Sequence, residues 1–203
     1  MPLLALTGYA VFLALAFGLR AILHYRRTGT TGFIGLGGQP GSIEWCAGVL
    51  FSVAVVGGAA APVGQLAGLL EPWDGGRIGA LHGVGAILAA AGIGGTLWAQ
   101  LAMGDSWRIG VDTGARTDLV VARGPFRWVR NPIFSWMTLA SAGLVLVSPN
   151  VLAVVSLVAL LVALEIQVRA VEEPYLMRTH GDAYRRYAAS TGRFVPGVGR
   201  LEA

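Results

Sequence analysis

Arg127-Trp128-Val129-Arg130-Asn131-Pro132-Ile133-Phe134 is the stretch on which the reading of this chain turns. Two arginines and a Trp stand directly before an Asn-Pro step, and the uncharged run 133–147 follows at once. Proline is tolerated at a helix start, where its missing N–H would be unpaired anyway, and asparagine is a good residue to cap such a start. The stretch therefore reads as a polar loop that plunges into a membrane helix at Pro132. The free N–H groups at a helix start suit an anionic or polar ligand. The plainer alternative is a membrane-insertion turn whose arginines anchor at the lipid headgroups.

Composition sets the frame. Of 203 residues, 55% are hydrophobic and only 13% charged, and mean hydropathy is +0.64. That is too apolar for an ordinary soluble domain and predicts an all-α, polytopic membrane bundle forming one domain. The formal charge is +4, with all 15 basic residues arginine. Their placement follows helix ends, so no nucleic-acid partner is expected; the lipid bilayer is. Cys46 is the only cysteine and is expected to pack within an apolar segment. Thirty glycines in so apolar a chain predict close helix packing.

Outward from the opening stretch, apolar runs at 3–19, 45–63, 78–103, 133–147 and 151–168 predict five spans. The fourth has 15 residues, about 22 Å of helix against a hydrocarbon core of roughly 30 Å. Ser148-Pro149-Asn150 should close it into a tight hairpin with the fifth. All arginines but Arg77 fall on one side of this arrangement, which predicts an N-terminus outside and a cytoplasmic polar face. Arg26, Arg116, Arg130 and Arg185 should share that face. The first three helices (1–103) are expected mainly as scaffold, and 104–203 as the polar loop, hairpin and tail whose inner face carries the chemistry. Gly92, Gly94 and Gly95 follow no strand, so they read as helix packing and not as a dinucleotide loop.

The second polar cluster is Glu165-Ile166-Gln167-Val168-Arg169-Ala170-Val171-Glu172-Glu173-Pro174. In a continuous α-helix Glu165 and Arg169 share a face at i,i+4, and Arg169 also reaches Glu172 and Glu173. Carboxylates at a helix C-terminus oppose the dipole, so Glu172 and Glu173 need a compensating arginine or cationic ligand. A snorkelling helix end is the bland reading of Arg169. Beyond lies His180-Gly181-Asp182-Ala183-Tyr184-Arg185-Arg186-Tyr187, read as a short amphipathic helix on the membrane surface, with Tyr184 and Tyr187 at i,i+3.

These motifs together carry a resemblance. Arg-Asn-Pro-Ile-Phe at 130–134 resembles the Arg-His-Pro-x-Tyr element of the isoprenylcysteine carboxyl methyltransferase family. The series Glu172-Glu173, Gly181-x-x-Tyr184-x-x-Tyr187 and Arg193-Phe194-Val195-Pro196 resembles its C-terminal signature. Phosphatidylethanolamine N-methyltransferases share the Glu-Glu-Pro ending and an Asn-Pro step. The similarity covers residues 100–196, with Asn131 for His and Phe134 for Tyr as departures. It implies S-adenosylmethionine bound at the cytoplasmic membrane surface by Arg130, Asn131, Pro132, Phe134, Glu172, Glu173, Tyr184 and Tyr187. Its methyl group would pass to a lipidic or amphipathic small molecule. Arg169 is expected to orient that acceptor catalytically, with Glu165 positioning its guanidinium. Two other readings stand beside this one. A membrane NADPH-dependent reductase of sterol type would clamp a 2′-phosphate with Arg185 and Arg186; a non-catalytic membrane partner would bind no nucleotide.

Overall fold

A computed structural model describes residues 1–33, 35–73, 79–107 and 124–201. Arg77, Arg108, Arg116 and Arg123, which enter the charge asymmetry, lie outside the described residues. Among those described the chain is all-α, with five helices: α1 (Pro2–Thr28), α2 (Ile43–Leu66), α3 (Gly79–Met103), α4 (Pro132–Val147) and α5 (Val151–Ser190). Four are long and apolar enough to cross a membrane; α4 is apolar but shorter.

Local chemistry sets the boundaries. In α1 the ladder widens to a π-helix over Ala14–Leu19 and returns to α for Arg20–Thr28. It ends on Gly29 in the left-handed region, with Arg26 and Arg27 favourably placed in the last turn. Ser42 caps α2 by accepting from the Trp45 N–H at 3.2 Å. Asn150 caps α5 by accepting from the Ala153 N–H at 2.9 Å, which turns the 148–150 hairpin sharply. Asn131 does not cap α4 with its side chain, contrary to expectation. Its amide Nδ2 instead donates to the Arg193 carbonyl at 3.2 Å.

The bundle is inside-out in its packing. Large apolar side chains such as Val56 and Ile87 point outward, 68% and 70% exposed, as a lipid-facing surface requires. Cys46 is also exposed and does not pack in the core as expected. The interior is small: α3 meets α4 through Gly85, Ala89 and Gly92 against Ala140 and Gly143. A Cβ on Gly92 would lie 2.3 Å from the Ala140 nitrogen, and one on Gly143 would lie 2.4 Å from the Ala89 nitrogen. Gly95 is pressed against Trp136, but Gly94 faces open space, so only part of the glycine cluster packs.

The fifth helix departs most from expectation. It is α-helical over Val151–Ile166, π-helical over Gln167–Glu172, and α-helical again over Glu173–Ser190. The terminal amphipathic segment follows this run in the chain and is set off from it by a kink at Gly181, so it stands as a short helix of its own, as expected. Pro174, which would break an α ladder, falls directly after the π turn, where that ladder is already interrupted. Gly181, at φ 51° and ψ −126°, has non-helical backbone and separates the two helical pieces at a kink.

Candidate functional site

Where the polar ends of the helices meet, they enclose a cavity of about 520 Å³, within the range typical of small-molecule sites. One end is apolar, with Phe17 of α1, Phe51 of α2, and Phe134 and Met137 of α4. The other carries Glu44, Arg130, Asn131, Gln167, Glu172 and three tyrosines, Tyr175, Tyr184 and Tyr187. Trp107 forms a third wall. It is 2% exposed and is held edge-on by His24, ring centroids 5.6 Å apart. The Arg20 guanidinium lies 4.6 Å from its ring centroid, and Arg20 Nη2 donates to the Gly104 carbonyl at 2.5 Å. Tyr184 and Tyr187 meet at 6.2 Å and 66°. The Tyr187 hydroxyl donates to the Phe126 carbonyl at 2.6 Å, which fixes that ring against the loop before α4.

Behind the tyrosines lies a buried ionic clamp. Arg130 Nη2 donates to Glu173 Oε1 at 2.7 Å and Nε to the same oxygen at 3.2 Å. Nη1 donates to the carbonyls of Ala188, at 3.0 Å, and Thr191; Nη2 also donates to that of Gly199 at 2.9 Å. A guanidinium has five N–H donors, and these five bonds use all of them. From the opposite side Arg193 grips Glu173 with Nε at 2.9 Å and Nη2 at 2.8 Å. The hydrogen bonds to Glu173 push the Arg193 guanidinium above its already high range. The tail returns over this clamp: the Arg130 N–H donates to the Gly192 carbonyl at 2.8 Å, and Ser135 Oγ to that of Phe194 at 2.6 Å.

Glu172, next in the chain, has different surroundings. Glu172 lines the cavity, and among the described residues its carboxylate receives one bond, from Gln167 Nε2 at 3.4 Å. This i,i+5 pairing follows from the π turn, which stacks residues five apart. The same turn explains why Arg169 does not reach Glu172 or Glu173. Arg169 pairs with Glu165 one turn back, with side chains 60% and 45% exposed, and neither residue lines the cavity.

Of the residues expected at a cofactor site, Arg130, Asn131, Pro132, Phe134, Glu172, Tyr184 and Tyr187 converge on one cavity. Glu173 stands one layer behind, engaged by two arginines. Arg185 is exposed and lies 3.4 Å from Asp182, and Arg186 is also exposed; neither lines the cavity. The sequence reading missed Glu44, Gln100, Trp107, Gln167 and Tyr175, all of which line it. Glu44 and Gln100 come from helices expected as scaffold. A carboxylate in a first turn and an amide within an apolar run are the signals that could have flagged them.

A model of the phospholipid methyltransferase family matches residues 81–183, which hold most of α3, all of α4 and most of α5. No curated protein matches the chain. Among solved structures, a eukaryotic intramembrane Ras methyltransferase, an isoprenylcysteine carboxyl methyltransferase, is similar with a TM-score of 0.62. The identity is 18%, over 96% of this chain and 67% of that one, and the likeness speaks to the fold alone.

Proposed function

The chain belongs to the phospholipid methyltransferase family, and on that premise we propose that the cavity binds the S-adenosylmethionine used by such membrane methyltransferases at its polar end and a lipid-like acceptor at its apolar end. The observation that carries this reading is the imbalance of charge in the cavity. Among the described residues Glu44 and Glu172 face it, whereas Arg130, the cation among them that lines it, is saturated by protein acceptors. A cavity with two such carboxylates and aromatic walls suits a ligand bearing a sulfonium and an ammonium. When bound, S-adenosylmethionine supplies an electrophilic methyl group.

The protein's part is alignment and exclusion of water. Tyr184 and Tyr187 wall the nucleoside, Glu172 faces the cationic groups, and Phe17, Phe51 and Phe134 receive the acceptor's chain. Glu173 contributes by fixing Arg130, and with it the start of α4. Arg169, held by Glu165 where the apolar part of α5 ends, meets the acceptor's polar head at the membrane surface. The five helices, α4 included, cross the membrane with the N-terminus outside, the cavity open to the cytoplasm, and α5 ending as a surface segment. The arginines at the ends of α1 and α5 and before α4 support this orientation.

Calorimetry of purified protein against S-adenosylmethionine, S-adenosylhomocysteine and NADPH tests the reading. The first two should bind and NADPH should not. Glu172→Gln should weaken S-adenosylmethionine about tenfold and S-adenosylhomocysteine, which lacks the sulfonium charge, much less. Equal losses for both would remove Glu172 from the cationic part of the site.

A further inference from the structure

Arg127 stands three residues before Arg130 and points the other way. It closes the 3-10 turn Gly124–Arg127 and is exposed. Its guanidinium lies 4.1 Å from the centroid of the Trp128 ring. Stacking uses the face of a guanidinium and leaves its N–H donors, which lie in the plane, free at the edge. Among the described residues those donors meet no protein acceptor. Trp128 in turn faces Trp98 of α3, with ring centroids 6.2 Å apart and planes at 56°. The two rings are 46% and 43% exposed, and Leu101, one turn beyond Trp98 and also exposed, extends the same outer face. The turn is pressed onto the end of α3: a Cβ on Gly124 would lie 3.1 Å from the Ala102 Cβ. The Trp128 N–H donates to the Pro125 carbonyl at 3.1 Å, which fixes the backbone beneath the stack. Arg127, Trp128 and Trp98 do not line the cavity. They form a notch on the outside of the bundle, where the apolar surface gives way to the polar helix ends. Indole rings favour that level of a bilayer.

We propose that this corner binds the headgroup of an anionic phospholipid from the surrounding bilayer. The edge of the Arg127 guanidinium takes the phosphate through paired N–H donors, and the start of the acyl chains lies on Trp98 and Leu101. A zwitterionic headgroup fits less well, because the stretch 124–129 holds no carboxylate to receive its ammonium, which then stands beside the guanidinium. Two arginines of one stretch thus divide their work. Arg130 spends its donors on the protein, and Arg127 keeps its own for lipid.

The test titrates dioctanoyl phosphatidylglycerol and dioctanoyl phosphatidylcholine, equal in apolar bulk, separately into the full-length protein in detergent. Native mass spectrometry counts the bound lipid. Phosphatidylglycerol should bind about tenfold more tightly, and added salt should shrink the difference. Arg127→Gln should abolish the difference, and Arg186→Gln, at another exposed arginine, should retain it. A lipid held in the cavity would keep its preference in Arg127→Gln, so the two places are told apart. Equal binding of the two lipids overturns the proposal. So does a preference that survives Arg127→Gln, or one that Arg186→Gln reduces as much, which is the mark of diffuse surface charge. A dimer mass that excludes lipid and disappears in Arg127→Gln would give the corner to a second copy of the chain and overturn it too. Should Arg127→Gln fail to fold, Arg127→Lys decides in its place. It keeps the charge and loses the fork, so the difference should fall severalfold, and an unchanged difference overturns the proposal.

Discussion

Glu172 and Glu173 are chain neighbours with opposite surroundings, and the contrast can be measured. Glu173→Gln would leave Arg130 and Arg193 buried beside a neutral amide. Breaking a buried ion pair from one side costs about 3–5 kcal/mol, so the thermal midpoint in detergent should drop by many degrees. Glu172→Gln should leave that midpoint nearly unchanged while altering nucleotide affinity, and scanning fluorimetry separates the two. The exposed Glu165–Arg169 pair predicts a third pattern. Surface ion pairs contribute about 0–1 kcal/mol, so Arg169→Lys should not affect stability. It should raise KM for an identified acceptor and leave S-adenosylmethionine affinity intact; a fall in kcat alone would bring Arg169 to the reacting atoms. The sequence alone required that Glu172 and Glu173 find a compensating cation and allowed either an arginine or a ligand to supply it. It could not divide the roles, because the arginine that answers Glu173 from the other side lies 20 residues on, in a tail whose return path no periodicity reveals.

At the level of helices, the apolar runs located all five, since lipid-facing residues must be hydrophobic over a fixed length. What they did not disclose is the winding. Two π turns, Ala14–Leu19 and Gln167–Glu172, leave no trace in composition, yet Phe17, Gln167 and Glu172 line the cavity from these turns. An α register applied to 165–173 therefore gave Arg169 its Glu165 partner, which forms, but also Glu172 and Glu173, which among the described residues it does not pair with. The α3–α4 contact was legible as small-residue packing but not in its fine grain. Gly92→Leu should abolish folding, because its Cβ would run into the Ala140 backbone, whereas Gly94→Leu, two residues away, meets nothing within 4 Å and should be tolerated. Expression and monodispersity in detergent distinguish the pair, and equal behaviour would contradict the packing described.

For the molecule as a whole, the arginine asymmetry predicts sidedness. With Cys46 replaced, a cysteine at Leu69, 80% exposed beyond α2, should react with an impermeant thiol reagent in intact cells, and one at Arg200 should not. Reaction at position 200 would invert the arrangement. The clamp has a bearing on how such a chain is made. Every acceptor of the Arg130 side chain lies downstream, at residues 173, 188, 191 and 199. While α4 is being threaded into the bilayer those partners do not yet exist, and Arg130 is a bare cation at the threshold of a short hydrophobic segment. If α4 crosses as proposed, in that interval its charge would resist translocation and hold the start of α4 on its own side of the membrane. Only when the last of those acceptors has been synthesised, 69 residues later, can the same guanidinium be fully buried. On the orientation proposed above, one residue would serve in succession as a topogenic signal during biogenesis and as the keystone of the finished site.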